Sequence, residues 1–212
     1  MTRIAVIGGT GYTGSHIVTE GVRRGHTVVS VARKLPADRI EGATYIEGSI
    51  LEAPAVAAEL EGVDVVVFAT SPRGDMVGKM RDAVADVVAA LPLSVRVGVI
   101  GGAGGSLVAP GGPRVIDSGF PDEIKPEAEE AIGILEDLEA DRSGRDWFYV
   151  HPAGGFGAWA PGERTGSYRT GGDVLVTDDE GESFISGADF AIAVLDEIES
   201  PAHVRRRFTV GY

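Results

Sequence analysis

Glycines are concentrated near the start of the chain, in the segment Gly8-Gly9-Thr10-Gly11-Tyr12-Thr13-Gly14. Three of them have the spacing Gly-x-x-Gly-x-x-Gly. The first permits a sharp turn from strand to helix, the second keeps side chains away from backbone N–H groups, and the third lets a helix lie close to a sheet. Free N–H groups at the positive end of a helix dipole bind anions. The pattern predicts that a dinucleotide pyrophosphate is bound by Gly8, Thr10, Gly11, Tyr12, Thr13 and Gly14.

The residues after the second predicted strand bear on which dinucleotide is bound. A site for NAD has an Asp or Glu there, which binds the ribose 2′-hydroxyl. This chain has no acid at that point and instead reads Ser30-Val31-Ala32-Arg33-Lys34. Arginine binds phosphate through a bidentate fork, so Arg33 and Lys34 suit a 2′-phosphate. We predict NADP(H) as the preferred cofactor. NAD(H) is the alternative, in which both cations are only solvated loop charges.

Three further strand ends are expected to complete the dinucleotide site. In open α/β sheets, ligands bind outside the carboxyl ends of the strands. Residues after the third strand would lie near the adenine, those after the fourth near the adenosine ribose and pyrophosphate, and those after the fifth near the nicotinamide ribose. In that order, they are Ser49 and Ile50, then Ala69, Thr70 and Ser71, then Gly101, Gly102 and Ala103.

These residues are positioned by alternating strand-like and helix-like segments. The apolar run Arg3–Ile7 reads as a strand covered on both faces, and the helix after it ends at Gly25. The remaining strands are predicted at 26–33, 43–48, 63–70, 94–100 and 146–150. The helices are predicted at 13–24, 52–60, 74–91 and within 124–144, where the helix starts at or near Pro126. The alternation predicts an α/β fold, a Rossmann-type doubly wound parallel sheet built from right-handed βαβ units.

The pattern changes after His151. A Gly/Pro-rich segment is followed by short strand-like pieces (SYRT, DVLVTD, SFIS), then by a helix, GADFAIAVLDEIES, and a last strand, RRFTV. We expect one domain over residues 1–212, in which residues 152–186 form a small substrate-side lobe over the carboxyl ends of the strands. Exposure of the last strand would permit an oligomer, and the cluster Arg205-Arg206-Arg207 is interpreted as a solvated edge.

Composition excludes several classes of function. A formal net charge of −13 argues against nucleic acid as a partner. The absence of cysteine excludes disulfides, thiolate catalysis and cysteine metal sites, and the four histidines are too scattered to form a metal site. No apolar run has the length of a signal-peptide core or a membrane helix. We therefore expect a cytoplasmic protein with no membrane partner.

Four segments resemble the atypical short-chain dehydrogenase/reductase superfamily: IAVIGGTGYTG, VVVFATSP, VGVIGGAGGSL and DWFYVHPAG. More narrowly, the chain resembles, nearly end to end, the small NAD(P)H-binding proteins named NADH-flavin reductases, which are relatives of biliverdin reductase B and NmrA-like proteins. The resemblance implies an active site beside the nicotinamide. The superfamily's usual catalytic pair is a Tyr with a Lys four residues later. Here the residues at that spacing after Tyr12, Tyr45, Tyr149 and Tyr168 are His16, Ser49, Ala153 and Gly172.

Other residues are therefore candidates for catalysis. By the resemblance, Lys125 could reach the nicotinamide ribose or a substrate oxygen; alternatively it is a solvated lysine. His151 ends the sixth strand and could donate a proton, or it only shapes its loop. Ser106 is a candidate for binding the acceptor. Three aromatic residues after His151 form either an aromatic face for a flat acceptor or the core of the small lobe. They are Phe156, Trp159 and Tyr168.

Two functions are consistent with these residues. The first is an NAD(P)H-dependent oxidoreductase that passes hydride to a flavin or quinone-like small acceptor. Such a transfer requires mainly alignment of the two partners and exclusion of water, so it is compatible with the missing Tyr–Lys pair. The alternative is a non-catalytic NADP(H)-binding redox sensor of the NmrA-like type, with an acidic surface suited to a basic partner. A sugar-nucleotide epimerase or dehydratase is disfavoured, because those enzymes use the same tyrosine and carry a larger substrate domain.

Overall fold

The sheet contains eight strands in the order β3-β2-β1-β4-β5-β6-β8-β7. In the computed structural model, which describes all residues from 1 to 212, the strands are β1 (Arg3–Ile7), β2 (Thr27–Ala32), β3 (Ala43–Glu47), β4 (Val65–Phe68), β5 (Arg96–Ile100), β6 (Trp147–His151), β7 (Arg169–Thr170) and β8 (Arg206–Gly211). The α-helices are α1 (Tyr12–Arg23), α2 (Ala53–Glu59), α3 (Met80–Ala90), α4 (Lys125–Ala140) and α5 (Gly187–Glu199). Every strand pair is parallel except β7–β8. The predicted Rossmann-type doubly wound sheet is confirmed.

Alternate residues of the parallel strands face two helical layers. On β1, Ala5 and Ile7 pack into a cluster of 25 buried residues with α2, α3 and α4, whereas Ile4 and Val6 pack into a cluster of 20 with α1 and α5. Because both faces are covered to a similar extent, the strands are apolar along their whole length instead of alternating. None of the helices combines the length and the apolar character that crossing a membrane requires.

The helix predicted over 74–91 begins later than expected. A single 3-10 turn at Gly74–Met76 comes first, Gly78 then adopts a φ of 72°, and α3 starts at Met80. The carboxylate of Glu130, on α4, accepts hydrogen bonds from the backbone N–H groups of Gly78 (2.7 Å) and Met80 (2.6 Å). These bonds satisfy donors that a helix start leaves free, so α3 is capped by another helix.

Only one of the three strand-like pieces predicted after His151 contributes a strand, the two-residue β7. DVLVTD and SFIS form isolated bridges, Val174 with Leu107 and Phe184 with Gly155. The last strand is not the edge of the sheet, since β8 lies between β6 and β7.

Arg207 of β8 corrects the interpretation of the basic cluster as a solvated edge. Its side chain is only 14% exposed, with Nε 3.0 Å from Asp173 Oδ1 and Nη1 donating to the carbonyl of Gly105 at 3.0 Å. It therefore ties together two loops at the carboxyl ends of the strands.

Two buried carboxylates attach residues 152–186 to the helices of one face. Asp189, on α5, accepts hydrogen bonds from the backbone N–H groups of Thr165 (2.7 Å) and Gly166 (2.8 Å). Glu20, on α1, accepts one from Arg164 at 2.9 Å. Burial raises the pKa of Glu20, but hydrogen bonds from three arginines, Arg23, Arg164 and Arg24, lower it to about 2. Both carboxylates are thus ionised acceptors at neutral pH.

Candidate functional site

A cleft of about 640 Å³ lies at the carboxyl ends of β1 to β4. The order of the strands reverses there, with β2 on one side of β1 and β4 on the other. Crevices at such a switch point are where open α/β sheets bind ligands. Most of the residues predicted to hold a dinucleotide line it: Gly8, Thr10, Gly11, Arg33, Lys34, Ser49, Ile50, Ala69, Thr70 and Ser71.

The glycines of the first loop have different surroundings. Gly8 adopts a φ of +83°, and a Cβ there would lie 2.7 Å from the carbonyl oxygen of Ala69. A Cβ on Gly14 would lie 2.1 Å from the carbonyl oxygen of Gly8, so α1 contacts the loop backbone directly. At Gly11, which lines the cleft, the one atom that a Cβ would meet is that same oxygen, at 3.3 Å. Gly8 and Gly14 are required by the turn, whereas Gly11 leaves room for a ligand.

The start of α1 offers hydrogen-bond donors to an anion. Its N-cap is Gly11, no side chain caps it, and its first turn contains no acid. The backbone N–H groups of Thr10, Tyr12 and Thr13 have no acceptor within the protein. The hydroxyl of Thr70 is also buried without a partner. Unpaired donors at the positive end of a helix dipole fit the pyrophosphate of a dinucleotide.

The other predicted cofactor residues lie outside this cleft. The hydroxyl of Tyr12 donates to the carbonyl of Pro161 at 3.2 Å and accepts from the N–H of Gly187, the first residue of α5, at 3.0 Å. The loop after β5 follows a different strand end. There a Cβ on Gly101 would meet the ring of Tyr149, whereas one on Gly102 would meet nothing within 4 Å. Thr13, Gly14, Gly101, Gly102 and Ala103 do not line the cleft.

Four charged side chains are among those that line the cleft. Arg33 and Lys34 line it as predicted, together with Arg73 and Asp75 from the loop after β4. Nη1 of Arg33 donates to both carboxylate oxygens of Asp75, at 2.8 and 2.6 Å. Sequence analysis did not include Arg73 or Asp75 in the site, and it assigned Asp75 to a helix over 74–91. Their position two and four residues after Ser71, in the segment that follows a predicted strand, is the signal that could have found them.

His151 is a fully buried histidine. Its Nδ1 lies 2.8 Å from the carbonyl oxygen of Gly102, and its Nε2 has no partner. Burial lowers the pKa of the ring to about 4, so the imidazole is neutral at pH 7 and its single proton is donated to Gly102. These contacts favour a histidine that shapes the loop after β5 over a proton donor.

The other candidate residues differ in accessibility. Ser106 is fully buried and its hydroxyl has no partner. Lys125 is the half-buried first residue of α4. Phe156 packs between Tyr12 and Phe190, with ring centroids 5.6 and 4.6 Å away. The hydroxyl of Tyr168 donates to Asp196 at 2.6 Å. Trp159, in contrast, is 73% exposed. Phe156 and Tyr168 are partly buried and pack against the core cluster on the side of α1 and α5.

The buried His151 predicts a pH dependence of stability. The unfolded chain takes up a proton on this ring near pH 6.5, whereas the folded chain does so only near pH 4. The stabilisation is therefore complete above pH 6.5 and is lost as the pH falls through this window. His151→Asn retains a donor for Gly102, and we expect it to reduce the loss of unfolding free energy by up to about 3 kcal/mol. Urea unfolding between pH 4.5 and 7 measures how the unfolding free energy of the wild type and of His151→Asn changes with pH. An equal pH dependence of the two proteins would contradict the prediction.

Comparison with known proteins agrees with this geometry. A family model described as NAD(P)H-binding matches residues 8–201. The Bacillus subtilis protein YwnB is 33% identical over 221 residues, which cover 98% of this chain and 97% of YwnB.

Two solved structures have the same fold over the whole chain. A Streptococcus pneumoniae protein, whose name proposes it to be an NADH-flavin reductase, is 30% identical with a TM-score of 0.88, covering 100% of this chain and 99% of its own. A Burkholderia pseudomallei protein, whose name proposes it to be exported, is 36% identical with a TM-score of 0.86 and full coverage of both chains. The chain belongs to the NAD(P)H-binding family, among Rossmann proteins of the atypical short-chain dehydrogenase/reductase type.

Proposed function

We propose that this protein is an NADPH-preferring oxidoreductase that transfers hydride to a flavin or quinone-like small acceptor. The observation that carries the proposal is the cleft at the switch point, which is lined by cations and lies beside the unpaired N–H donors at the start of α1. A bound nicotinamide cofactor would supply the hydride. The S. pneumoniae neighbour, whose name proposes an NADH-flavin reductase, supports a flavin as the acceptor.

The preference for NADPH is supported by three cations that line the cleft. They are Arg33, Lys34 and Arg73. Guanidinium groups bind phosphate with two parallel hydrogen bonds, and an ammonium group adds a point charge. In this proposal the three side chains hold the 2′-phosphate, and Ser49 and Ile50 contact the adenine.

The acceptor would bind between the loop after β5 and residues 152–186, which we propose as the substrate-side lobe of a single domain. Lys125, at the start of α4, is our candidate contact for the nicotinamide ribose or an acceptor oxygen. His151 would act as a positioning residue for Gly102, and Ser106 would support the same loop. Trp159 is the exposed aromatic residue of the segment and would contact a flat acceptor.

The neutral state of His151 favours a second candidate function, the non-catalytic NADP(H)-binding redox sensor. The single N–H of its imidazole donates a hydrogen bond to the carbonyl of Gly102 and is not available to an acceptor. The chain also has no Tyr–Lys pair that could act as the acid in place of His151. A sensor needs only unequal affinity for the oxidised and reduced dinucleotide. With either function we propose a cytoplasmic location, since the chain contains no cysteine.

Consumption of NADPH tests the two functions against each other. Purified protein is supplied with FMN, FAD or a quinone, with NADH in parallel. We expect turnover with NADPH, and we expect Arg33→Ala to raise the KM for NADPH about tenfold while leaving that for NADH unchanged. Arg142→Ala, which removes an exposed arginine outside the cleft, is the matched control. Nucleotide binding without turnover of any acceptor would favour the sensor, and preference for NADH would contradict the role of Arg33.

A further inference from the structure

An ion pair joins two walls of the cofactor cleft. Arg33 follows β2, and Asp75 lies in the 3-10 turn after β4. Nη1 of Arg33 donates to both oxygens of the Asp75 carboxylate, at 2.8 and 2.6 Å. Both side chains also line the cleft. The pair thus lies among the charged residues that line the cleft.

The pair uses the group that would bind a 2′-phosphate. While Asp75 accepts from Arg33, a phosphate that approaches the guanidinium meets a carboxylate of the same charge. The side chains are 55% and 67% exposed, and exposed ion pairs are weak enough to exchange partners. Arg33 can therefore bind either the carboxylate or the phosphate.

The neighbouring cations cannot fully replace Arg33 as the group that binds a 2′-phosphate. Nε of Arg73 donates to Glu127, on α4, at 2.7 Å, so that guanidinium is also paired with a carboxylate. Lys34 lines the cleft as a single ammonium charge. The affinity for a 2′-phosphate therefore depends on how readily Arg33 leaves Asp75.

We infer that Asp75 is a specificity-determining residue, which competes with the 2′-phosphate for Arg33 and so limits the preference for NADP(H) over NAD(H). The inference rests on the proposed function, because it assumes that the adenosine ribose lies beside Arg33. When NADP(H) binds, Arg33 exchanges the carboxylate of Asp75 for the 2′-phosphate. When NAD(H) binds, which has no 2′-phosphate, Arg33 remains paired with Asp75.

Two fragments of the cofactor test the inference without any turnover. Adenosine 2′,5′-bisphosphate and 5′-AMP differ by the 2′-phosphate, and titration calorimetry measures the binding of each. Asp75→Asn retains the shape of the side chain and removes its charge. We expect it to tighten binding of the bisphosphate about fivefold and to change binding of 5′-AMP less than about twofold.

Two further variants show whether the effect is specific. Asp82→Asn removes one exposed negative charge from the first turn of α3, outside the cleft, and we expect it to leave the ratio of the two affinities unchanged. In an Arg33→Ala background, Asp75→Asn should lose most of its effect, since the two residues then share no interaction. Equal changes for both fragments, or none, would overturn the inference.

The wild-type protein separates this inference from the proposed cofactor preference. If it binds both fragments equally, the preference for NADPH fails. If Asp75→Asn then creates a preference for the bisphosphate, the competition by Asp75 is nevertheless supported.

Discussion

Gly14→Ala is expected to abolish measurable binding of NADPH and NADH and to lower the Tm by roughly 6–12 °C. A Cβ at this position would lie 2.1 Å from the carbonyl oxygen of Gly8 and 2.7 Å from its carbon. Neither atom can rotate away, because both belong to the backbone of the turn. Displacing α1 from the loop would cost about 3 kcal/mol of unfolding free energy and would displace the unpaired N–H donors at the start of the helix. Thermal unfolding and a nucleotide titration measure the two effects.

Gly11→Ala separates cofactor binding from folding. A Cβ there approaches one atom, the carbonyl oxygen of Gly8 at 3.3 Å, and would stand in the cleft. We expect a Tm close to that of the wild type and at least about a tenfold loss of nucleotide affinity. Gly154→Ala is the control, since Gly154 lies outside the cleft and its Cβ would make only ordinary contacts, at 3.6 Å or more from Ser183. If Gly14→Ala kept both its Tm and its affinity, the proposed role of the glycine turn would be contradicted.

The first half of the site is predictable because local sequence determines it. Apolar runs such as Arg3–Ile7 indicate buried parallel strands, and their order of connection places the residues after β1 to β4 at one edge of the sheet. Gly8 and Gly14 meet requirements of the backbone alone. The ends of these strands could therefore be assigned to the cleft without knowing any side-chain contact.

The remaining features depend on contacts between residues distant in sequence. Glu130 caps α3 from another helix, and Asp75 meets Arg33 across the cleft. Nothing near either acid in sequence reveals its partner, and charged residues of this kind are usually solvated. The burial of His151 depends in the same way on the packing of the loop after β5, which sets the protonation state of the ring.

Asp189 shows that part of such a contact has a local signal. Ser186 and Asp189 have the spacing of a capping box, and the hydroxyl of Ser186 does accept from the N–H of Asp189 at 3.1 Å. The same carboxylate accepts from the hydroxyl of Tyr212 at 2.5 Å and from residues 165 and 166. The local motif identifies the start of α5. The attachment of the C-terminus and of residues 152–186 could not be read from it.

Asp189→Ala is accordingly expected to destabilise the protein by about 3–4 kcal/mol, because it leaves several buried donors without an acceptor. Burial raises the pKa of Asp189, but hydrogen bonds, first from Tyr212 and then from Thr165 and Gly166, lower it below its ordinary value, so an ionised acceptor is lost. Denaturant unfolding measures the loss, and limited proteolysis should show faster cleavage within 152–186. Asp178→Asn, an exposed acid that binds only nearby N–H groups, is the control.

The functional consequence of Asp189→Ala depends on which half of the site is affected. The cleft is formed by the loops after β1 to β4, so we expect nucleotide affinity to fall less than about threefold. Residues 152–186 contact the loop after β5 through the bridge of Val174 with Leu107. Because we propose that the acceptor binds there, the KM for the acceptor should rise much more than that for NADPH. This split distinguishes a lobe that holds the acceptor from one that only stabilises the fold. Equal losses for both substrates would show that Asp189 acts through global stability alone.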